Sequence, residues 1–393
     1  MGETLTREEW TRQLEDGMEG LKKQIGIRKE APIMGEGDFH TNEMPLCNRV
    51  ITKDMIRLYA SALGDFNPLW VNEEYAKQTK WGGIIAPPMC EVMIAEAAAV
   101  PPPLEIPGLS YMNGGSTRKY YNPIRPGDEF RAYDTFKAVV DKTNPAKPYR
   151  LFITTGEREI INQRDELVLT ITSNIMIVAR YPEPGKGQKA LDFSQEKRRC
   201  YTDEELEIFH QSYDEEIQGT NRFGKGKRDW DSVNIGDELV PVYKGPYDYA
   251  DAVSFFAVTG FSMAFAKKWY TMRGNLNAFY KNSETNEYTC GPEWHFDDEI
   301  ARKRGVPFAP IFGTHIEASM LEGVTNWMGD EARVAVVSSQ IRKMIFMGDV
   351  FICKGKVADK YEEDGKKLVK FELWAEKYGT DTVSATGYAI VEL

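Results

Sequence analysis

The chain of 393 residues repeats itself. With one short gap allowed, segments 117–142 and 341–360 share an Arg-Lys pair, an aromatic stretch, a Gly-Asp pair, an alternating apolar run and a closing Asp-Lys. The matched positions are Arg118/Arg342, Lys119/Lys343, Gly127/Gly348, Asp128/Asp349 and Asp141/Asp359. Internal self-similarity decides the architecture before any local pattern does. We therefore expect two copies of one structural unit.

Each copy predicts helices that are followed by an antiparallel meander. The meanders end in runs of alternating apolar and polar residues, rich in β-branched side chains, over 151–179 and 368–393. Upstream of them, segment 52–65 reads as a helix with Thr52 as its N-cap, and segment 249–260 has the same apolar spacing. Each unit therefore begins with helices and ends in strands.

A second, more apolar helix is predicted in each copy, over 90–100 and 315–329, and we expect the sheet to wrap around it. An amphipathic helix is predicted near 4–24, and a capping box at Thr202 and Glu205 predicts another in the linker. The predicted regions are a helical appendix (1–45), a first unit (46–181), a linker with one helix (182–232) and a second unit (233–393).

Composition excludes several classes of partner. The chain has 49 basic and 60 acidic residues, a net charge of −11, which disfavours binding to nucleic acid or to anionic lipid. No run approaches the 18 or so apolar residues of a membrane span. Five scattered cysteines suit reduced thiols better than a disulfide framework or a zinc site. We expect a cytoplasmic protein with neither a metal nor a membrane partner.

Residues 59–89 read YASALGDFNPLWVNEEYAKQTKWGGIIAPPM. This string resembles the Gly-Asp-x-Asn-Pro signature, with the following glycine-rich loop, of the MaoC-like acyl-CoA dehydratases, also called hydratase 2. The second half also resembles the C-terminal half of the double-hotdog members of that family, whose N-terminal half resembles a fatty-acid-synthase-type dehydratase domain. Over residues 46–393 the resemblance implies an α+β double hotdog, in which each unit is an antiparallel sheet wrapped around a central helix.

The resemblance also implies an activity. The family adds water to, or removes it from, the 2,3-position of an acyl-CoA thioester, which would make this chain a hydro-lyase. An aspartate and a histidine hold the water and move protons, and backbone N–H groups at a helix start hold the thioester carbonyl. Coenzyme A would enter as part of the substrate, with no other cofactor. We expect a homo-oligomer, a dimer or higher.

The sequence departs from the family pattern at the catalytic positions. The first copy has Asp65 and Asn67, but Trp70 stands at the histidine position. In the second copy His295 lies opposite Trp70, but Phe261 stands at the aspartate position. Neither copy therefore carries a complete Asp–His pair, and Asp65 and His295 are not expected to meet.

His295 is the first candidate proton carrier, with Asp297 or Glu317 as a possible carboxylate partner. His315 follows Gly313 and Thr314, beside the expected oxyanion position. Trp70 reads as a wall of the acyl pocket or as core filler. The candidate catalytic residues are His295, Asp65, Asp297 and His315, and the candidate substrate-binding residues are Gly313, Thr314, Asn67, Trp70, Trp269, Tyr270 and Tyr280.

An insertion at 262–294 separates the two family positions in the second copy and is rich in aromatic residues. So many rings are expected to be buried, and we predict a lid over the second-half pocket. It also suggests a bulky or unusual acyl group.

Two other functions stay open. Asp65 without a histidine would suit a hotdog thioesterase, and incomplete motifs would suit a non-catalytic acyl-CoA-binding subunit. The repeated Arg-Lys pair reads either as a binding site for coenzyme A phosphates or, more simply, as ion-paired strand ends.

Overall fold

A computed structural model of the chain describes residues 5–33, 46–95, 104, 106–182, 193, 196–259 and 279–393. The strands before the linker are β1 (Arg28–Glu30), β2 (Leu109–Tyr120), β3 (Phe130–Asp141), β4 (Arg150–Asn162) and β5 (Leu167–Ala179). Those after it are β6 (Val242–Lys244), β7 (Phe279–Lys281), β8 (Tyr288–Cys290), β9 (Arg333–Ile341), β10 (Phe351–Glu363), β11 (Lys366–Lys377) and β12 (Val383–Glu392).

Most of the helices begin where the capping signals in the sequence predict. They are α1 (Arg7–Lys22), α2 (Lys53–Leu63), α3 (Pro68–Val71), α4 (Glu73–Ala76), α5 (Asp203–Gln218), α6 (Tyr249–Val258), α7 (Asp298–Lys303), α8 (Gly313–Ser319) and α9 (Glu322–Met328). Short 3₁₀ helices span Cys90–Met93, Trp230–Ser232 and Gly291–His295. Thr52 caps α2 and Thr202 caps α5, as predicted.

The two meanders form one sheet with an internal symmetry. The strand order is β1-β3-β4-β5-β2-β9-β12-β11-β10-β6, so β2, β3, β4 and β5 correspond to β9, β10, β11 and β12. The halves join where β2 pairs antiparallel with β9, from Ser116 opposite Ser339 to Lys119 opposite Val336. The predicted duplication is therefore visible as a sheet with matching halves on either side of the β2–β9 pair.

The repeated Gly-Asp pair forms the same turn in both halves. Gly127 and Gly348 have φ of 86° and 92°, the left-handed region that glycine enters without a steric cost. The buried carboxylates of Asp128 and Asp349 each accept the backbone N–H of the residue three positions earlier, at 2.8 and 2.9 Å. The sequence repeat thus encodes one hydrogen-bonded turn, made twice.

The central helices differ from the expectation. Segment 315–329 was expected to form one helix, but α8 and α9 are separated at Met320 and Leu321. In the first half only Cys90–Met93 forms a 3₁₀ turn, and residues 96–100 lie outside the described part of the chain. Apolar composition favours burial, but it does not fix hydrogen-bond spacing, which explains why the segment breaks.

The appendix packs against the first half. Trp10, Leu14, Met18 and Leu21 of α1 are buried in a cluster that also contains Phe136 and Phe152 and their neighbours. Across the described ranges, no helix combines the length and the apolar character needed to cross a lipid bilayer.

Candidate active site

The family position in the first half is occupied by a hydrogen-bonded pair of Asp65 and Trp70. Asp65 follows α2, which ends at Gly64 in the left-handed conformation, and Trp70 lies on α3. The Trp70 indole Nε1 donates to Asp65 Oδ2 at 2.8 Å, and the backbone N–H of Asn67 donates to Oδ1 at 2.9 Å. Both carboxylate oxygens therefore have a donor inside the protein.

This arrangement hydrogen-bonds the carboxylate but offers it no group that could relay a proton. Burial raises the pKa of Asp65, while the N–H of Asn67, the Lys244 ammonium and the indole of Trp70 lower it. An indole N–H is only a donor, so Trp70 cannot do what the family histidine does. The side chain of Asn67, expected to bind substrate, caps α3 by accepting the N–H of Leu69 at 3.0 Å.

Trp70 also forms part of the wall of an open cleft, which fits the expected pocket-wall role. The cleft encloses about 600 Å³, including its mouth. It is lined by Leu69, Trp70, Trp81, Ile85, Ala86, Pro87, Pro88, Cys90, Tyr120, Asn122, Pro123, Ile124, Met328, Ala332, Arg333 and Val334. Asp65 lies behind the indole and does not line it.

His295 is the matching residue of the second half, and its environment differs. It ends the 3₁₀ helix Gly291–His295, and its Nδ1 lies 2.9 Å from the carbonyl oxygen of Pro310. A carbonyl oxygen only accepts, so Nδ1 carries the proton and Nε2 keeps a lone pair. Burial lowers the pKa of His295 to about 4, so the ring is neutral near pH 7.

Aromatic rings surround the His295 imidazole. The ring centroids of Trp294, Phe312 and Phe256 lie 4.9, 5.2 and 5.5 Å from that of His295. Such surroundings favour an apolar group beside the ring.

The expected carboxylate partners of His295 are engaged elsewhere. Asp297 caps α7, its Oδ1 accepting the N–H groups of Glu299 at 2.8 Å and Ile300 at 3.2 Å. Glu317 is buried on α8, where burial raises its pKa and Arg118 of the first half lowers it. Among the described hydrogen bonds, neither carboxylate contacts His295. The first-half Asp65, bound to Trp70, does not meet it either.

His315 forms a buried pair with a residue that the sequence analysis missed. Its Nδ1 lies 2.8 Å from the Tyr247 hydroxyl, and its ring stacks on Phe255 with centroids 4.2 Å apart. Burial and then the positive charge of Lys244 lower the pKa of His315 to about 3. Tyr247 lies between β6 and α6 and carries no motif, so only its long-range contact with His315 reveals it.

Gly313 and Thr314 open α8, as the resemblance implied. Its N-cap residue, Phe312, has no side-chain acceptor for the first turn, and the first N–H groups of a helix have no partner within it. A Cβ on Gly313 would lie 3.1 Å from Ile341 Cγ1, so a larger residue would crowd the sheet.

The remaining candidates belong to the insertion. Trp269 and Tyr270 lie outside the described residues, and Tyr280 is on β7, where the structure gives the backbone but not the side chain. The described part of the insertion forms the β7–β8 hairpin and the 3₁₀ helix that leads into His295. The lid stays a prediction.

Residues 40–171 match a family model described as the FAS1-like, dehydratase domain region. A UPF0336 protein of Streptomyces avermitilis is 29% identical over 93 residues, which are 23% of this chain and 62% of that relative's length. The chain thus matches less than two thirds of that protein.

Two solved structures share the fold. A MaoC-like dehydratase superposes with a TM-score of 0.59 at 16% identity, over 94% of this chain and 99% of the other. A second structure, described as a putative MaoC domain protein dehydratase from Chloroflexus aurantiacus, superposes with a TM-score of 0.54 at 13% identity. The match covers 94% of this chain and 95% of the other. This chain has the fold of the MaoC-like dehydratases. The predicted resemblance and the predicted α+β double hotdog are confirmed, and the family model supports the hydratase or dehydratase class in general.

Within this MaoC-like fold, the seam between the halves carries a buried group of charges that the sequence did not reveal. We call Asp65, Glu216, Lys244 and Glu322 the seam cluster. Lys244 Nζ lies 2.6 Å from Glu322 Oε2 and donates to the carbonyl oxygens of Leu63 and Gly64, each at 3.1 Å. Lys244 therefore ties β6 and α9 of the second half to the end of α2 in the first.

The charges in the seam cluster perturb one another strongly. Burial alone would lower the pKa of Lys244, but Glu322 and Glu216 raise it above its usual value. Burial raises the pKa of Glu322 well above its usual value, against the attraction of Lys244. Burial also raises the pKa of Asp65 and of Glu216, while Lys244 lowers both.

A second buried pair involves Arg118, the first residue of the repeated Arg-Lys motif. Arg118 is buried on β2, with Nε 2.6 Å from Glu91 Oε1 and Nη1 donating to Ser116 Oγ at 2.6 Å. Its counterpart Arg342 is exposed and donates to Thr386 Oγ1 at 3.2 Å. The first residue of the repeated Arg-Lys pair is therefore buried in one half and exposed in the other. Arg118 fits the interpretation of the pair as an ion-paired strand end. Among the residues that the structure describes, no group of three or more His, Cys, Asp or Glu side chains is placed to hold a metal ion.

Proposed function

We propose that the chain is a hydratase or dehydratase of acyl-CoA thioesters, with His295 as its proton carrier. One observation carries the proposal: at the family histidine position, an imidazole donates Nδ1–H to Pro310 and keeps a lone pair on Nε2. A general base needs that lone pair, and its lowered pKa keeps it available near pH 7.

The proposed reaction uses His295 at two moments. As water attacks C3 of the enoyl thioester, Nε2 takes a proton from the water and the double-bond electrons move onto the thioester carbonyl oxygen. The imidazolium then returns the proton to C2, and the carbonyl re-forms. Backbone N–H groups at Gly313 and Thr314 would hold the developing negative charge, and the rings around His295 would hold the acyl chain.

The structure favours this reaction over the thioesterase alternative. A carboxylate that serves as a base or nucleophile needs an oxygen free to approach the substrate, but both oxygens of Asp65 accept hydrogen bonds behind Trp70. The non-catalytic alternative makes the opposite prediction in the assay below, because it requires binding without turnover.

The experiment is hydration of crotonyl-CoA and of longer 2-enoyl-CoAs, followed by loss of the ultraviolet absorbance of the conjugated thioester. We expect His295→Ala to lower kcat by about 10²-fold or more, the low end of general acid–base effects. His210→Ala is the matched control, because His210 is exposed on α5, and we expect it to leave kcat unchanged.

Each alternative has its own signature. Release of free thiol from the substrate would favour hydrolysis and overturn the proposal. Binding of enoyl-CoA with no absorbance change in the unmodified protein would favour the non-catalytic subunit. If both histidine variants kept full activity, His295 would not be the proton carrier.

A further inference from the structure

The cleft beside Trp70 is the first-half counterpart of the His295 site. Trp70 stands opposite His295, and aligning Ala86-Pro87 with Ala309-Pro310 sets Cys90 opposite Gly313. Met328, Arg333 and neighbouring residues of the second half complete its wall. The cleft has kept the position of an active site while losing the histidine.

The cleft is suited to an apolar chain. The cleft is open to solvent at its mouth, so a chain could enter it from one end. Its lining is predominantly leucine, isoleucine, proline, tryptophan and other apolar side chains. The few polar groups are satisfied within the protein: the Tyr120 hydroxyl accepts the N–H of Met89 and donates to Glu91, and the amide of Asn122 donates to Leu167. A ligand inside the cleft would therefore meet mostly hydrocarbon.

Two cations stand at its rim. Arg333 lines the cleft and donates to the Tyr120 carbonyl at 2.8 Å and to Glu392 at 2.6 Å. Lys80 holds its ammonium 4.6 Å from the ring centroid of Trp81, which is a wall residue. Among the described residues, no carboxylate lies within ion-pair distance of Lys80. Partial burial, Arg333 and Lys227 lower the pKa of Lys80, against Glu392 and Glu331 at longer range.

We propose that this cleft is a second ligand site, separate from His295, which binds the free acid of a single-chain fatty acid. The chain lies in the cleft and the carboxylate lies at Lys80, close to Arg333. Because the Lys80 ammonium lies close to the cleft wall, it favours a ligand whose negative charge sits directly at the end of the apolar chain. Coenzyme A fits this less well, because the whole pantetheine arm separates its phosphates from the acyl carbon. The site binds without turnover, because Trp70 offers no proton acceptor.

The test is calorimetric titration of the full chain with decanoate. We expect one saturable site per chain, with Ala86→Phe weakening binding by at least tenfold because its ring fills the cleft. Ala146→Phe is the matched control, since Ala146 is exposed in the turn between β3 and β4. Lys80→Gln should weaken binding about fivefold, the effect of a partly exposed ion pair, and exposed Lys147→Gln should not.

The outcomes separate this site from the proposed activity. Decanoate binding that persists unchanged in His295→Ala supports a separate site, whether or not the chain hydrates enoyl-CoA. Equal affinity in Ala86→Phe and Ala146→Phe would overturn the cleft. Equal affinity for decanol and decanoate, or Ala86-dependent binding of decanoyl-CoA alone, would overturn the carboxylate assignment. Lys80→Gln changes a rim residue, so it keeps the test open if Ala86→Phe does not fold.

Discussion

Trp70 and His295 occupy corresponding positions in the two halves, but only His295 has a ring nitrogen that can accept a proton. The Trp70 nitrogen donates to a buried carboxylate, which has its second oxygen bound as well. The proton-bearing nitrogen of His295 donates to a backbone carbonyl, which leaves its other nitrogen as an acceptor. At the position that the resemblance makes catalytic, one half has a structural contact and the other has a group that can take a proton.

The comparison teaches where function can persist after duplication. The shared sheet and the shared Gly-Asp turn were kept in both copies, because each copy needs them to fold. The proton-transfer position of the proposed reaction is needed only once. In the other copy the buried carboxylate of Asp65 requires a donor, and Trp70 supplies it.

The strongest way to break the comparison is to remove the cation of the seam cluster. Lys244→Met leaves Glu322, Glu216 and Asp65 buried without the Lys244 ammonium and removes the donor to the end of α2. We expect the free energy of unfolding to fall by about 3–5 kcal/mol, the usual cost of leaving buried charges unpaired. Chemical denaturation measures it.

Lys354→Met is the control for that experiment. Lys354 pairs with Glu376 on the neighbouring strand, with both side chains about one quarter to one third exposed, and exposed pairs contribute less than about 1 kcal/mol. Equal losses in the two variants would mean that the seam cluster does not join the halves as described.

Removing the indole donor of the first half tests whether Asp65 is structural. Trp70→Phe leaves Asp65 Oδ2 buried without a hydrogen bond, and we expect a loss of about 1–3 kcal/mol in unfolding free energy. Hydration kcat should stay unchanged. Trp374→Phe removes a similar but only partly buried bond to Glu376, 3.3 Å long, and should cost less. A large fall in kcat for Trp70→Phe alone would place chemistry in the first half.

The smallest effect is expected in the pH profile of hydration. In the proposed reaction the neutral form of His295 is the active one, and burial lowers the pKa of His295 to about 4. The rate constant kcat/KM should therefore be flat from pH 8 down to about 5, and fall tenfold per unit at more acid pH as the ring takes a proton. A midpoint near 6.5, the ordinary value of histidine, would show that the ring is not buried as described. Circular dichroism at each pH checks that the protein stays folded.

Local signals predicted much of the fold. Thr52 and Thr202 act as helix caps because a hydroxyl at that position can accept a backbone N–H within the same turn. The Gly127 and Gly348 turns follow from a backbone conformation that glycine favours. Alternating apolar residues predicted β4, β5, β11 and β12, because side chains alternate between the faces of a strand.

The candidate site could be predicted only in part from such local signals. Motif position pointed to His295 and Trp70, but the choice of hydrogen-bond partner depends on packing. Asp297 looked like a partner for His295 because it is two residues away, yet it caps the helix that it precedes. Lys244 and Glu322 meet across 78 positions of sequence, so no local pattern could pair them.

The β2–β9 pair has a consequence beyond holding the sheet together. In a dimer of identical chains, any substitution on one face of the interface is made on the other face too, and dilution pulls the partners apart. Here the corresponding strands belong to one polypeptide, so their association does not depend on protein concentration. Each partner can also acquire substitutions that the other never receives. Lys244 meeting the carbonyls of Leu63 and Gly64 is a contact of that kind, made in one direction across an interface that was symmetric in origin.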